Sequence, residues 1–488
     1  MGPHLVDHHF MGRPVLPAVE ALQALALAAR EHHPNMTVAY SRQADFLRFL
    51  QVEETGQDLP AVVEFESHAN GSLTCSLLTQ NAAKNTTMVR FKEHVAVTFA
   101  SPPPWPLLPL DLTVPEGPAL FMDAERMYAE LVPFGPAFHN TRGRVHLSRG
   151  GALATVAAPR WGSTGPLGSP FPLDAAFHLA CAWGQRYEGL LGFPTGYAER
   201  LVLNPTRAGE NYLAVVLPQG RNEKTLFYDL WLLDRSGRHR EAVLGLRMED
   251  VSRGRFTVPD WIRANDPSDS ESPADRPFSL AVVELASLPP FSDKLLSLRE
   301  KFRWQNLGSR RKKSFLGARL ALKRLSRRLA PDGLTDEAPA LDTLAADNLR
   351  PALAGPGSSR FQCSAAHDDR LAAAVAAEEP IGLDVEKISD RALRGRSLFM
   401  SESEQSLLAS SGLGQEAAAV RVWTIKEATA KALSLTLPEA WRKVEVTAIG
   451  KNLSLADVDG RTLMVHHIEV DDHVLSITLP DHHQNRAA

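Results

Sequence analysis

Pro380-Ile-Gly-Leu-Asp384-Val-Glu386 is an apolar run that carries two carboxylates two positions apart. As a strand, whose side chains alternate between faces, it puts Asp384 and Glu386 on one side. Two acids so placed form half of a site for a hard cation. Downstream, Val422-Trp423-Thr-Ile-Lys426-Glu427-Ala-Thr-Ala-Lys431-Ala is Ala-rich and favours a helix. From it Glu427 is a candidate third oxygen ligand, and Lys426 and Lys431 are candidate phosphate partners. Each segment alone has an ordinary reading, a solvated strand end and an i,i+4 Glu427/Lys431 helix pair. Together, three carboxylates beside lysines point to Mg²⁺ holding a pyrophosphate.

These residues resemble the Sfp-type 4′-phosphopantetheinyl transferases: Gly382, Asp384 and Glu386 stand as G-x-D-x-E, and Trp423, Lys426, Glu427 and Lys431 as W-x-x-K-E-x-x-x-K. The resemblance implies an α+β fold of two subdomains, CoA as substrate and a carrier-protein serine as acceptor. It also implies Mg²⁺ on Asp384, Glu386 and Glu427, Glu427 as base, and Lys431 or Lys426 on phosphate. Upstream, the basic run Arg310 to Arg328 places Arg319, Lys323 and Arg327 at i, i+4 and i+8, with Leu316, Leu320, Leu325 and Leu329 near helical spacing on another face. A charge run is usually a solvated face; the resemblance assigns this one, Arg319 included, to CoA phosphates and an acidic carrier protein. It places His367 on the CoA 3′-phosphate, although Ala366 stands where the family has serine. Phe399-Met-Ser401-x-x-Glu404 reads as a helix start with a capping box.

Near the N-terminus, His8-His9-Phe-Met-Gly12-Arg-Pro-Val-Leu-Pro17 leads into Ala18–Arg30, apolar nearly all round, with Pro17 suited to a first helical turn. A helix buried on most sides is expected there, wrapped by strands such as Pro60–Glu66 and Glu93–Ala100. The plan repeats with a helix over Asp174–Tyr187 and strands at Gly151–Ala158, Asn211–Leu217, Thr225–Asp234 and Ala242–Met248, which suggests an internal duplication. His8 and Asp174 each stand near the start of one of these helices. Taken singly, a satisfied structural histidine and an N-cap aspartate are the ordinary readings.

His8-x3-Gly12-x4-Pro17, Phe134-Gly135-Pro136-x-Phe138 and Asp174-x3-His178 resemble, in order, three motifs of the double-hotdog dehydratase domains of polyketide and related fatty-acid synthases. The resemblance implies that His8 takes the α-proton of a β-hydroxyacyl thioester. Asp174, kept protonated in a dry tunnel, would give a proton to the departing hydroxyl. Phe134 departs from the family's usual tyrosine and removes a hydroxyl contact. Only seven residues precede His8, fewer than the family's leading strand and segment, which implies that the strand belongs to another polypeptide or that the chain is cut from a larger one. Two other readings of this half are a non-catalytic docking module and a thioesterase or product-template-like hotdog.

The expected organisation is therefore α+β: a double hotdog over 1–262, a polar, acidic, proline-bearing linker over 263–277 that separates two folding units, and a transferase domain over 278–488. A chain of 488 residues with 44% hydrophobic and 23% charged content suits two or three globular domains. A net charge of −4 argues against nucleic acid as partner. Cys75, Cys181 and Cys363 show no CxxC spacing, and no secretory leader or membrane-length apolar span is evident, so a cytoplasmic protein is expected. The implied partners are an acyl carrier protein and CoA. Because dehydratase domains of this kind often pair, a homodimer through that half is a further expectation.

Overall fold

The computed structural model describes residues 3–52, 60–82, 89–105, 107–162, 164–263, 276–331, 334, 336–347 and 350–479. Most of the expected linker, 264–275, and the tail from 480 lie outside the described residues. The chain forms two compact units, Met1–Leu108 with Ala119–Asp266, and Pro109–Pro118 with Pro267–Ala488. Pro109–Pro118, inside the span expected for the first domain, groups with the second unit.

The first unit opens with a hairpin of β1 (His9–Phe10) and β2 (Arg13–Pro14), then α1 (Ala18–His32). Next come β3 (Tyr40–Phe46), β4 (Ala61–Ser67), β5 (Leu73–Ala82), β6 (Val89–Phe99), β7 (Leu120–Asp123), α2 (Ala124–Glu130), β8 (Thr141–Ser148) and β9 (Gly151–Ala157). It closes with α3 (Phe171–Tyr187), β10 (Phe193–Val202), β11 (Asn211–Asn222), β12 (Thr225–Leu233) and β13 (His239–Glu249). Eleven strands make one antiparallel sheet, β4-β5-β6-β3-β10-β13-β12-β11-β9-β8-β7. Period-two patterning sets its faces: Leu73, Cys75, Leu77 and Thr79 of β5 are buried, and the residues between them are more open. α1 packs on β4, β5 and β6, and α3 on β8, β9, β11 and β12, so each half of the sheet wraps one helix. β3 and β10 join the halves, with Ser41 opposite Arg200. This is a double hotdog.

The two helices differ more than their sequences suggest. Every residue of α3 from Phe171 to Gln185 is buried, whereas α1 buries Val19, Ala21, Leu22, Leu25, Ala26 and Ala29 and leaves Leu27 51% exposed. The expectation of a helix buried on most sides fails for α1, because alanine is small enough to sit on either face and inflates an apolar count. α3 starts at Phe171, with Pro172 in its first turn, so Asp174 is a buried first-turn residue and not an N-cap.

The second unit contains β14 (Ser279–Glu284), α4 (Leu298–Gln305), α5 (Ser309–Leu329), β15 (Gln362–His367), β16 (Leu371–Ala377), β17 (Gly382–Lys387), α6 (Asp390–Arg394), α7 (Glu402–Ser410) and α8 (Gln415–Leu433). α9 (Leu437–Lys443), β18 (Val444–Ala448), β19 (Leu453–Val458), β20 (Arg461–Val470) and β21 (His473–Leu479) complete it. Its sheets, β14-β16-β15 and β17-β21-β20-β19-β18, each carry one long helix, α5 on β14 and β16, and α8 on β17 and β21. Gly382 lets β17 approach α8, since a Cβ there would collide with the Ala428 carbonyl. Strand and helix thereby bring the two acidic motifs together.

Candidate active sites

In the first unit, Met11 and Gly12 turn the β1–β2 hairpin with φ of 51° and 74°, the left-handed conformation of a two-residue turn. The returning strand places Val15 against His8: Val15 N donates to His8 O at 2.8 Å, and His8 Nδ1 lies 2.9 Å from Val15 O. Nδ1 is thus the protonated nitrogen, and Nε2 carries the lone pair. The Phe134-Gly135-Pro136 segment docks on the same stretch. Gly135 N donates to Asp7 O at 2.7 Å, Ala137 N to Asp7 Oδ2 at 2.8 Å, and a Cβ on Gly135 would lie 2.6 Å from that of Asp7. Phe134 then stacks on His8, ring centroids 4.5 Å apart, and sits 5.0 Å from the ring of His178. The expected loss at position 134 was a hydroxyl; the ring itself is an aromatic wall between two histidines.

His8 and Asp174 line one cavity of about 290 Å³ whose other walls are mainly apolar, among them Leu77, Val95, Val132, Phe177 and Met248. Burial in that setting lowers the His8 pKa to about 4 and raises that of Asp174 to about 8, the latter aided by the charge of Glu20. At neutral pH His8 is an uncharged base and Asp174 a protonated acid. Asp174 Oδ2 lies 3.2 Å from Nε2 of His178, whose pKa burial lowers to about 3, so this is a contact between neutral groups. Neither atom has a well-aligned hydrogen-bond partner, which leaves polar capacity facing the cavity. Behind His178, the Tyr128 hydroxyl accepts from the amides of Asn140 and Thr141 at 3.1 and 2.9 Å and donates to Thr141 Oγ1 at 3.0 Å. Its place was not legible in the sequence, where a tyrosine within an amphipathic helix reads as core.

In the second unit, β17 alternates as expected: Leu383 and Val385 enter the core, and Asp384 and Glu386 share the other face. Lys431 of α8 donates to Asp384 Oδ1 and to Leu383 O, both at 2.8 Å. Asp384 Oδ2 is buried without a hydrogen-bond partner. Burial first, then the charge of Asp384, raises Glu386 and Glu427 each to about 7. The donor set is all carboxylate, the chemistry a hard divalent cation takes, and the crowding that lifts these pKa values is what such a cation relieves. Among the described residues no three acidic, histidine or cysteine side chains already converge as a metal cage. In kind, the carboxylate set suits a hard divalent cation.

Of the expected CoA-binding residues, Lys426 is placed differently, and Arg319 is held by an interior carbonyl while still lining a cleft beside His367. Lys426 is 1% exposed, and its Nζ donates to Glu404 Oε2 at 2.8 Å inside the protein, so it presents no charge to a phosphate. Glu404 belongs to the Ser401 capping box, which is present, and its other oxygen accepts from Val446 N at 2.8 Å. The stripe Arg319, Lys323 and Arg327 also turns inward. Lys323 is fully buried on Glu300 at 2.9 Å, Arg327 is paired to Asp111 at 2.6 Å, and Arg319 Nη1 donates to Thr343 O at 2.6 Å. Charges that read as a solvated face are there because each has an interior partner. The exposed basic groups instead come from the first turns of α5. Arg310, Arg311 and Lys313 line a cleft of about 500 Å³ with His367, and a neighbouring cleft of about 400 Å³ is lined by Arg303, Arg311, Phe315, Arg319 and His367.

Residues 380–478 match the 4′-phosphopantetheinyl transferase superfamily, and residues 122–257 match the polyketide synthase dehydratase N-terminal domain. The chain thus joins a polyketide-synthase-type dehydratase segment to a phosphopantetheinyl transferase segment. The second match includes Phe134 and Asp174 but not His8. No curated protein matches. Among similar solved structures, the dehydratase domain of a mycocerosic acid synthase-like polyketide synthase is 17% identical, TM-score 0.42, over 51% of this chain and 85% of that one. The dehydratase domain of the CurH module of curacin polyketide synthase is 18% identical, TM-score 0.40, over 51% and 87%. That of the polyketide PpsC from Mycobacterium tuberculosis is 20% identical, TM-score 0.39, over 50% and 87%. Among the described residues, no helix is long and apolar enough to cross a membrane.

Proposed function

We propose that the first unit dehydrates 3-hydroxyacyl thioesters held on an acyl carrier protein, and that the second loads such a carrier with 4′-phosphopantetheine from CoA. The observation that carries the first half is the opposite displacement of two titrating groups in one cavity, His8 down to about 4 and Asp174 up to about 8. His8 Nε2 takes the α-proton of the thioester, the Cα–Cβ double bond forms, and the Cβ–O bond breaks as Asp174 protonates the hydroxyl, releasing water. The apolar walls suit an acyl chain and keep Asp174 protonated.

In the second unit, Asp384, Glu386 and Glu427 would hold Mg²⁺, which when bound supplies charge neutralisation at the pyrophosphate of CoA. Glu427 accepts the proton of the carrier serine as the serine oxygen bonds to the β-phosphorus of CoA. The bond to adenosine 3′,5′-bisphosphate breaks, and Lys431 balances charge on the phosphate. The basic groups at the start of α5, with His367, receive the phosphates of CoA. Incubation of the protein with CoA, Mg²⁺ and apo carrier protein, followed by a 3-hydroxyacyl-loaded carrier, tests both halves by intact mass. Gain of one phosphopantetheine and then loss of one water supports the reading; absence of either mass change overturns that half.

A further inference from the structure

The C-terminal end of α5 carries three arginines, and all three find partners in one short stretch far upstream. Arg327 Nε and Nη2 reach the two carboxylate oxygens of Asp111 at 2.6 and 3.0 Å. Arg328 Nη2 reaches both oxygens of Glu116 at 2.9 Å. Arg324, buried, donates to the carbonyls of Val114 and Asp111. Asp111 is fully buried, and Val114, 1% exposed, belongs to the same apolar cluster as Val283, Leu295, Leu320 and Leu325. Gly117 N donates to Val282 O at 3.0 Å, and Gly117 bridges in parallel to Val283 of β14. The segment supplies counter-charges, a core side chain and a strand-edge hydrogen bond to the second unit. Its flanking residues, Leu108 and Ala119, belong to the first.

We propose that Pro109–Pro118 is an intramolecular docking peptide and that the face of α5 and β14 beneath it is a peptide-binding surface for which this segment is the occupant. Charge complementarity argues for it: a buried carboxylate meets a bidentate guanidinium, and removal of the segment would strand buried cations. The polypeptide following the linker therefore does not complete the transferase unit by itself. Because the same α5 presents Arg310, Arg311 and Lys313 to the candidate CoA cleft, loss of the segment unsettles that cleft from the opposite end of the helix.

The test uses the full chain with a protease site inserted between Arg263 and Arg276. After cleavage, the wild-type pieces should co-elute on size exclusion, and an Asp111→Lys/Glu116→Lys chain should separate with at least tenfold weaker association. An Asp111→Arg/Arg327→Asp exchange should restore co-elution. Hydrogen exchange on the uncleaved wild type provides a reading that needs no variant: the amide of Gly117 should be protected together with the α5 amides. Cleaved wild-type pieces that separate without denaturant overturn the proposal, as does co-elution undiminished by the double lysine variant. Fast, loop-like exchange at Gly117 overturns it as well.

Discussion

The rings of His8 and Phe134 lie face to face, 4.5 Å between centroids and 11° from parallel. The phenyl ring excludes water from one side of the imidazole, and desolvation is the largest cause of the lowered His8 pKa. Phe134→Ala should therefore let that pKa rise from about 4 toward its ordinary 6.5. A base that must be neutral then loses its reactive fraction in mild acid, so dehydration at pH 5 falls by roughly tenfold or more relative to pH 8. Phe134→Tyr keeps the ring and should leave the acid limb in place. An unchanged acid limb in the alanine variant would remove Phe134 from the account of His8.

With a neutral base and a protonated acid both required, kcat/KM for dehydration should rise through about pH 4 and fall through about pH 8. Asp174→Asn should abolish the alkaline limb and lower the rate by about 10²–10⁴-fold, with His8→Ala at least as damaging. Carrier loading should stay normal in both. An alkaline limb that survives Asp174→Asn belongs to some other group.

Lys426 and Lys431 share a helix but should fail differently. Lys426→Ala leaves Glu404 buried without its cation, a loss of about 3–5 kcal/mol of stability. The KM for CoA of whatever remains folded should be unchanged. Lys431→Ala also removes a cation from a buried carboxylate, Asp384. Burial already favours the protonated form of that acid, so the loss of stability should be smaller and the loss of loading larger. Thermal melts beside CoA titrations separate the two, and a raised CoA KM in a stably folded Lys426→Ala would return that residue to the phosphate site.

Protons and Mg²⁺ should compete for the same carboxylates. At low Mg²⁺ the acid limb of carrier loading should lie near pH 7, where Glu386 and Glu427 titrate, and it should move to lower pH as Mg²⁺ rises. Chelator, Asp384→Ala and Glu427→Ala should each stop loading. An acid limb indifferent to Mg²⁺ over a hundredfold range would refute the shared site.

The strand-borne Asp384/Glu386 pair and the two-helix repeat were legible because they depend on short periods, two for a strand and 3.6 for a helix. The inward turn of Arg319, Lys323 and Arg327 was not, since their partners Thr343, Glu300 and Asp111 come from other segments, one of them over 200 positions away. Glu404 was visible as a capping residue, yet its second task, holding Lys426, depends on how α7 meets α8. The exposed side of α1 was hidden because alanines carry little information about facing. Composition gives charges and apolar residues; only the fold says which of them meet.

The left-handed Met11–Gly12 turn makes the position of His8 Nε2, the proposed base, a matter of backbone handedness. An l-residue with a branched Cβ at position 12 is resisted by its own main chain although nothing lies within 4 Å of where that Cβ would be, so the space there is empty and still closed to substitution. A d-alanine at position 12, introduced by semisynthesis, would meet no such resistance. Chirality at one main-chain atom thus governs where the proposed base stands.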